Sequence, residues 1–101
     1  MKVQSLKHNQ ILEVFGQYQV RGKQCYLVSP DKYPGLLAVS SEDVVIIDSE
    51  LKDFVEHDDG YSSGSYFRPI FDEPLIEPLL ECQPEAYMRF LEILKSISNE
   101  T

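Results

Sequence analysis

The sequence predicts an α+β fold, in which a small, mainly antiparallel sheet of four or five strands carries a C-terminal helix packed on one face. Two observations support this prediction. Runs rich in β-branched and aromatic residues, separated by turn residues, fill the first half of the chain, and a helical spacing of apolar residues begins at Pro84. A chain of 101 residues with 43% hydrophobic content has the size of a single domain, residues 1–101.

The first half of the chain predicts two hairpins. Residues 11–20 and 24–28 are β-rich runs separated by a short turn segment at 21–23, which indicates the first hairpin. Residues 36–39 and 44–47 flank the polar turn SSED, which indicates the second. The run VVII is apolar throughout, a pattern typical of a strand covered on both faces, so we expect this strand at the centre of the sheet.

The second half of the chain changes in character. Residues 49–57 predict a short helix with an acidic outer face, and the glycine- and serine-rich residues 58–67 predict an exposed loop. Because Pro78 disrupts a helix interior, an irregular or extended segment is expected over residues 73–80. Residues 84–97 predict a helix packed on the sheet.

The C-terminal helix has several consistent signals. Pro84 suits a first helical turn, and Glu85 and Lys95 lie near the ends that favour their charges. We expect Phe90, Leu91 and Leu94 on its buried face. The apolar residues at helical spacing are Tyr87, Phe90, Leu91, Leu94 and Ile97. An SH3-like barrel with an added helix is the alternative architecture.

The cysteine pattern and the length of the apolar runs indicate the cellular compartment of the protein. Cys25 and Cys82 are far apart and form no CxxC motif, so buried thiols are expected rather than a disulfide or a zinc site. The N-terminal residues lack the apolar region of a secretory signal, and no apolar run approaches the ~20 residues of a membrane span. We therefore expect a cytoplasmic protein with no membrane partner.

Negative charge is concentrated beyond the first third of the chain. Residues 1–35 carry five Lys/Arg against two Asp/Glu, a net +3, and residues 36–101 carry four against fifteen, a net −11. The densest stretch, residues 48–61, includes six acids: Asp48, Glu50, Asp53, Glu56, Asp58 and Asp59. Such a concentration of like charge indicates a cationic partner, although a solvated surface explains most charge runs.

Three aromatic residues follow the acidic run: Tyr61, Tyr66 and Phe67. Carboxylates steer and orient a partner, while aromatic side chains supply the buried area that dominates affinity. We therefore predict a partner-binding patch made of these six acids and three aromatic residues.

The motifs that suggest chemistry lack their required context. Residues 60–64 match G-x-S-x-G, but neither the strand nor the helix of a nucleophile elbow is indicated around them. His57 and Asp58 are adjacent in sequence and rarely present both side chains to one point. Placing Gly60 at the sixth position of a calcium loop puts Val55, which has no side-chain oxygen, at the first. We predict no catalytic residue, no metal and no cofactor.

The acidic composition also argues against nucleic-acid binding, because a chain with a pI of about 4.6 lacks the positive field that phosphate contacts require. In size, charge and architecture the chain resembles the bacterial immunity proteins that neutralise toxins, including those of contact-dependent inhibition systems. The resemblance implies a protein that occludes a basic toxin, for example a nuclease, with carboxylates in place of phosphate. A non-catalytic adaptor or a subunit of a larger complex is the alternative, and it predicts a hydrophobic interface.

Overall fold

The computed structural model describes residues 1–58, 60 and 62–98. Its helices and strands are β1 (Lys2–Ser5), β2 (Ile11–Val20), β3 (Lys23–Val28), β4 (Leu37–Ser40), β5 (Val44–Asp48), β6 (Phe54–Asp58), β7 (Ser62–Phe67), α1 (Arg68–Asp72), α2 (Ile76–Leu80) and α3 (Pro84–Ser98). A short 3-10 helix, Ser41–Asp43, joins β4 to β5. The predicted α+β class is confirmed, with an antiparallel sheet and a C-terminal helix, and the sheet has seven strands.

Strand β2 organises the sheet because its two ends have different neighbours. Residues 11–13 pair with β1, which in turn pairs with β5. Residues 16–20 lie between β3 and β7, and the register shifts between Val14 and Gly16 where the two parts meet. Outside this strand, β4 pairs with β3 and β6 pairs with β7. The two parts therefore share β2 and have the strand orders β2-β1-β5 and β4-β3-β2-β7-β6.

The first predicted hairpin is confirmed. Strands β2 and β3 pair with Val20 opposite Lys23, and the turn between them places Arg21 at φ 54° and Gly22 at φ 79°. Two successive left-handed residues are the geometry of a type I′ turn, whose twist matches the flanking strands.

Two hydrophobic clusters stabilise the fold. The first lies between the sheet and the helices, and its buried members are Phe15, Leu27, Leu36, Phe67, Ile70, Leu79, Ala86, Phe90 and Ile93. The second is made mainly by the β1 side of the sheet, with Met1, Val3, Leu12, Val14, Tyr26, Val28 and Val44. Leu27 belongs to the first cluster and its neighbours Tyr26 and Val28 to the second, so the clusters lie on opposite faces of β3.

The prediction that the VVII strand lies at the centre of the sheet is wrong. Strand β5, which contains the VVII run, lies at an edge, and Val45, Ile46 and Ile47 are 49%, 48% and 46% exposed. It pairs with β1, and β4 pairs with β3, so the second predicted hairpin does not form either. A continuous apolar run is compatible with any strand position, because the run itself does not determine which neighbours cover it.

The helix predicted at residues 49–57 and the loop predicted at 58–67 are also corrected. Residues 54–58 form β6, and residues 62–67 form β7, which pairs with both β6 and β2. Phe54 lies opposite Phe67 and Val55 opposite Tyr66. Aromatic and β-branched cross-strand pairs of this kind stabilise a sheet, and here they outweigh the helical spacing of the apolar residues.

Helix α2 contains Pro78, where an irregular or extended segment was expected. The helix begins at Ile76, so Pro78 lies among its first residues. The first four N–H groups of an α-helix have no partner within the helix, so a missing N–H costs little there.

Helix α3 confirms the predicted C-terminal helix and the burial of Phe90, but the prediction that Leu91 is buried is wrong. Phe90 is 0% exposed and lies in the first cluster with Ala86 and Ile93, whereas Leu91 is 45% exposed. The buried residues follow an i, i+4, i+7 spacing from Ala86, and this stripe turns Leu91 towards solvent.

Candidate protein-binding surfaces

The structure divides the predicted acidic run among different environments. Asp48 and Glu50 lie at the rim of a cavity, Asp53 forms an ion pair, and Glu56 and Asp58 lie on one face of β6. The other two predicted residues of this stretch, Asp59 and Tyr61, lie outside the described residues. The described acids therefore do not form one continuous patch.

Glu56 and Asp58 belong to a polar surface that crosses four strands. In the register of the sheet, Glu56 lies opposite Ser65, and Ser65 lies opposite Gln17 on its other side. Asp58 lies in the next row on this face, opposite Ser63. Directly paired residues of neighbouring strands share a face, so these side chains are on the same side of the sheet. We call this surface the glutamine–serine face; its side chains are Gln17, Gln19, Gln24, Ser63, Ser65, Glu56 and Asp58.

The glutamine–serine face forms a shallow, open concavity with a volume of about 540 Å³. Strand β7 approaches β2 closely at Gly64. A Cβ atom at Gly64 would lie 2.3 Å from the backbone oxygen of Gln17 and 2.8 Å from the Cβ atom of Tyr18. The absence of a side chain therefore lets the two strands come together beneath this surface.

The carboxylates of this face lack a cationic partner among the residues that the structure describes. Asp58 accepts a hydrogen bond from the backbone N–H of Gly60 through Oδ1, at 2.9 Å. Glu56 and Asp58 are exposed, and neither takes part in any of the ion pairs within the described ranges. Their charge is thus available to an external cation, alongside amide and hydroxyl groups that both donate and accept hydrogen bonds.

The opposite side of the same strands is packed differently. His57 lies against the ring of Phe71 in α1, with 5.3 Å between ring centroids. Tyr18 lies opposite Cys25 in the register, and burial together with this neighbouring thiol raises the pKa of the Tyr18 hydroxyl. Both Tyr18 and His57 nevertheless border the concavity of the glutamine–serine face.

Asp53 has a structural partner. Its Oδ1 lies 3.2 Å from Nε of Arg68, and its backbone oxygen accepts a hydrogen bond from the Arg68 N–H at 2.7 Å. Both side chains are about half exposed, so the ion pair itself contributes little free energy. The two contacts connect the start of β6 to the start of α1.

Asp48 and Glu50 border a second concavity, with a volume of about 680 Å³, next to the C-terminal helix. Its interior is apolar, with Phe15, Phe54 and Leu94 among the lining residues. Lys2, Lys52 and Glu13 also line it, so its rim carries both signs of charge. This concavity therefore combines the predicted acids with aromatic residues, but also with nearby lysines.

Two of the predicted aromatic anchors, Phe67 and Tyr66, pack against other residues of the fold. Phe67 is 9% exposed and lies in the first cluster, with its ring 5.7 Å from that of Phe15, so the expectation of an exposed anchor at this position is wrong. Tyr66 is half-buried, and its ring stacks on that of Phe71 at 5.9 Å with an interplanar angle of 16°. Tyr66 thus presents part of its surface while supporting α1.

Sequence reasoning missed the uncharged members of the glutamine–serine face. The alternation of Gln17 and Gln19 in β2, and of Ser63 and Ser65 in β7, is the period-2 signal of one solvated strand face. The glycines of the β7 segment favour a loop and mask this strand signal.

No group of three or more His, Cys, Asp or Glu side chains within residues 1–58, 60 and 62–98 is arranged to hold a metal ion. In the same part of the chain, no helix has the length and apolar character needed to cross a membrane.

Comparison of the chain with protein-family models, with curated protein sequences and with solved structures found no match in any of the three.

Proposed function

We propose that this protein is an immunity protein, which binds a basic toxin and occludes its active site. The observation that carries the proposal is the glutamine–serine face, where Glu56 and Asp58 border a concave surface without a cation beside them in the described residues. The overall charge of −8 supports it, because a strongly acidic protein attracts a cationic partner from a distance.

The chemistry of this face suits a cationic protein surface. An arginine side chain donates paired hydrogen bonds to a carboxylate, and these bonds are about twice as strong as those between neutral groups. The glutamine and serine side chains around the two acids complement the backbone and amide groups of such a surface. A toxin that binds phosphate, for example a nuclease, carries cationic residues of this kind in its active site, and carboxylates in place of phosphate would cover them.

The size of the molecule also suits inhibition by occlusion. A standard interface covers roughly 800 Å² per partner. The protein exposes 6717 Å², so one such interface takes about an eighth of its surface. A partner centred on the glutamine–serine face would therefore extend beyond it to neighbouring surface while leaving most of the protein free.

The test is a growth-rescue experiment with the products of the reading frames adjacent to this gene. Each product is expressed in bacteria with and without this protein, and any product that inhibits growth is purified for surface plasmon resonance. We expect one product to be toxic, to be neutralised by this protein and to bind it. Absence of any toxic, neutralised product would overturn the proposal.

Charge reversal then locates the interface. The double variant Glu56→Lys, Asp58→Lys should lower the association rate by about tenfold or more and flatten its salt dependence, because exposed charges act mainly through steering. The matched control, Asp72→Lys with Glu77→Lys, changes the net charge equally on exposed helical positions. Equal effects in both variants would mean that net charge, and not the glutamine–serine face, controls binding.

A non-catalytic adaptor or complex subunit is the second candidate function. The half-exposed apolar residues Val45, Ile46 and Ile47 favour it, because the adaptor hypothesis predicts a hydrophobic interface. If the rescue experiment fails and the protein is recovered in a stable complex that resists high salt, the adaptor function takes the place of the first proposal.

A further inference from the structure

Strand β5 is an edge strand with an apolar surface. Within the described residues it pairs with β1 alone, so its other side faces away from the sheet. Val45, Ile46 and Ile47 are each close to half exposed. In the register Val45 and Ile11 both lie beside Gln4, and Ile11 is itself 61% exposed, so the apolar surface continues onto the outer face of the sheet.

The other two edges of the sheet are better protected. Strand β6 carries Glu56 and Asp58 along its length, and strand β4 has only four residues. Charged side chains and short edge strands are the usual ways in which proteins prevent unwanted strand pairing. Strand β5 carries no charge between Val44 and Ile47, and its register with β1 shifts between Ile46 and Asp48, so its regular edge is the apolar segment from Val44 to Ile46.

Acidic residues flank this apolar edge at both ends. Glu42 and Asp43 precede β5, and Asp48 ends it, with Glu50 two residues beyond; all four are exposed. Asp48 and Glu50 also line the second concavity, together with Lys2 and Lys52, so the carboxylates at this end of the strand have lysines nearby. An added strand would therefore meet apolar side chains in its middle and carboxylates near both ends.

We propose that β5 binds an extended segment of a partner protein by strand addition, and that this segment has an apolar centre with lysine or arginine at each end. Backbone hydrogen bonds provide affinity in this mode, and the alternating side chains provide specificity. The proposal does not depend on the immunity function, because it concerns a different edge of the sheet from the glutamine–serine face.

Charge also argues against a second copy of this chain as the occupant. An antiparallel pair of β5 strands would bring the acids before the strand in one copy, Glu42 and Asp43, near those at its end in the other, at both ends. Like charges directly opposite each other destabilise strand pairs. The basic ends of a partner strand would instead be attracted by the acids that flank β5.

The test uses a synthetic nine-residue peptide with a Val-Thr-Val-Ile-Val centre and two lysines at each end, added to the full chain. Backbone amide shifts and hydrogen exchange are measured by NMR. We expect shifts and slower exchange to concentrate in residues 44–48. A peptide with glutamates in place of the lysines should bind at least about tenfold more weakly, because its ends meet like charge.

The variant Val45→Lys adds a guarding charge on the outer face of β5 and should weaken peptide binding by about tenfold or more. Leu37→Lys is the matched control, since Leu37 is 40% exposed on the β4 edge, and it should leave binding unchanged. Both variants are checked for native amide spectra, and Ile11→Lys serves in place of Val45→Lys if that variant unfolds, with a weaker expected loss.

Several outcomes would overturn the proposal. Equal affinity for the two peptides would remove the role of the flanking acids. Exchange protection at β4 or β6 instead of β5 would place strand addition elsewhere. Concentration-dependent dimerisation through residues 44–48, measured by analytical ultracentrifugation without peptide, would make a second copy the occupant.

Discussion

Replacing Phe90 with alanine tests the packing of α3 on the sheet. Phe90 is fully buried, and its ring meets that of Phe15 edge to face, with centroids 4.9 Å apart and an interplanar angle of 84°. Truncating a buried phenylalanine costs about 3–5 kcal/mol, which includes the cavity that is left behind. The aromatic pair accounts for about 0.5–1.5 kcal/mol of this loss.

The neighbouring variant Leu91→Ala is the control, because the two positions are adjacent but differ in exposure. Leu91 is nearly half exposed, so its truncation removes little buried area and should cost about 1 kcal/mol or less. Phe90→Ala therefore removes a large part of a total stability of about 5–15 kcal/mol, whereas Leu91→Ala leaves most of it.

Urea unfolding followed by circular dichroism measures the difference. With a slope of about 1–3 kcal/mol per molar urea, Phe90→Ala should lower the midpoint by at least about 1 M. If that variant does not fold, Phe90→Leu should still lower the midpoint more than Leu91→Ala does. Equal losses at the two positions, or a larger loss at Leu91, would refute the orientation of the helix.

Three further predictions concern contacts elsewhere in the fold. Gly64→Ala should destabilise the protein by about 1–3 kcal/mol in urea melts, because the new Cβ atom meets the β2 backbone; an unchanged midpoint would contradict the close approach of β7. A double-mutant cycle of Tyr66→Ala and Phe71→Ala should give a coupling of about 0.5–1.5 kcal/mol, and additive losses would mean that the stacked rings do not interact. The hydrogen bonds from Arg89 hold the pKa of the Glu73 carboxyl below its ordinary value of 4.5, so the stabilisation from this pair is present above that value and is lost as the pH falls through the lowered pKa. NMR titration of the Glu73 carboxyl carbon should show a higher pKa in Arg89→Gln, and no change would exclude the contact in solution.

Local sequence signals are sufficient to predict the helices and hairpins that depend on local contacts. The β2–β3 hairpin closes through the adjacent residues Arg21 and Gly22, and α3 is defined by the spacing of its own apolar residues. The segments that depend on distant partners were predicted less well. Residues 54–58 and 62–67 become strands because β7 pairs with β2, far away in the sequence, and a local pattern contains no information on that partner.

In the candidate surfaces, too, the local sequence predicts some residues, and the others depend on strands that are distant in the sequence. Glu56 and Asp58 were identified from charge alone, but the glutamine–serine face required the register that aligns them with Ser65 and Ser63. The loop predicted over residues 58–67 places Phe67 at the surface, but it is buried in the first cluster, where β7 ends against the helices. The apolar run of β5 gave no indication of its exposure, since coverage is set by the order of strands in the sheet.

The sharing of β2 between two sets of strands has a consequence for the rate of folding. The β2–β3 hairpin has a short connection and forms on a microsecond timescale, of about 1–10 μs. The pairing of β2 with β7 has to close a loop that contains four other strands, which carries a larger entropic cost before any contact is gained. We therefore expect mutations in the β2–β3 turn to change the refolding rate, and mutations in β7 and α1 to change mainly the unfolding rate, as stopped-flow kinetics would show.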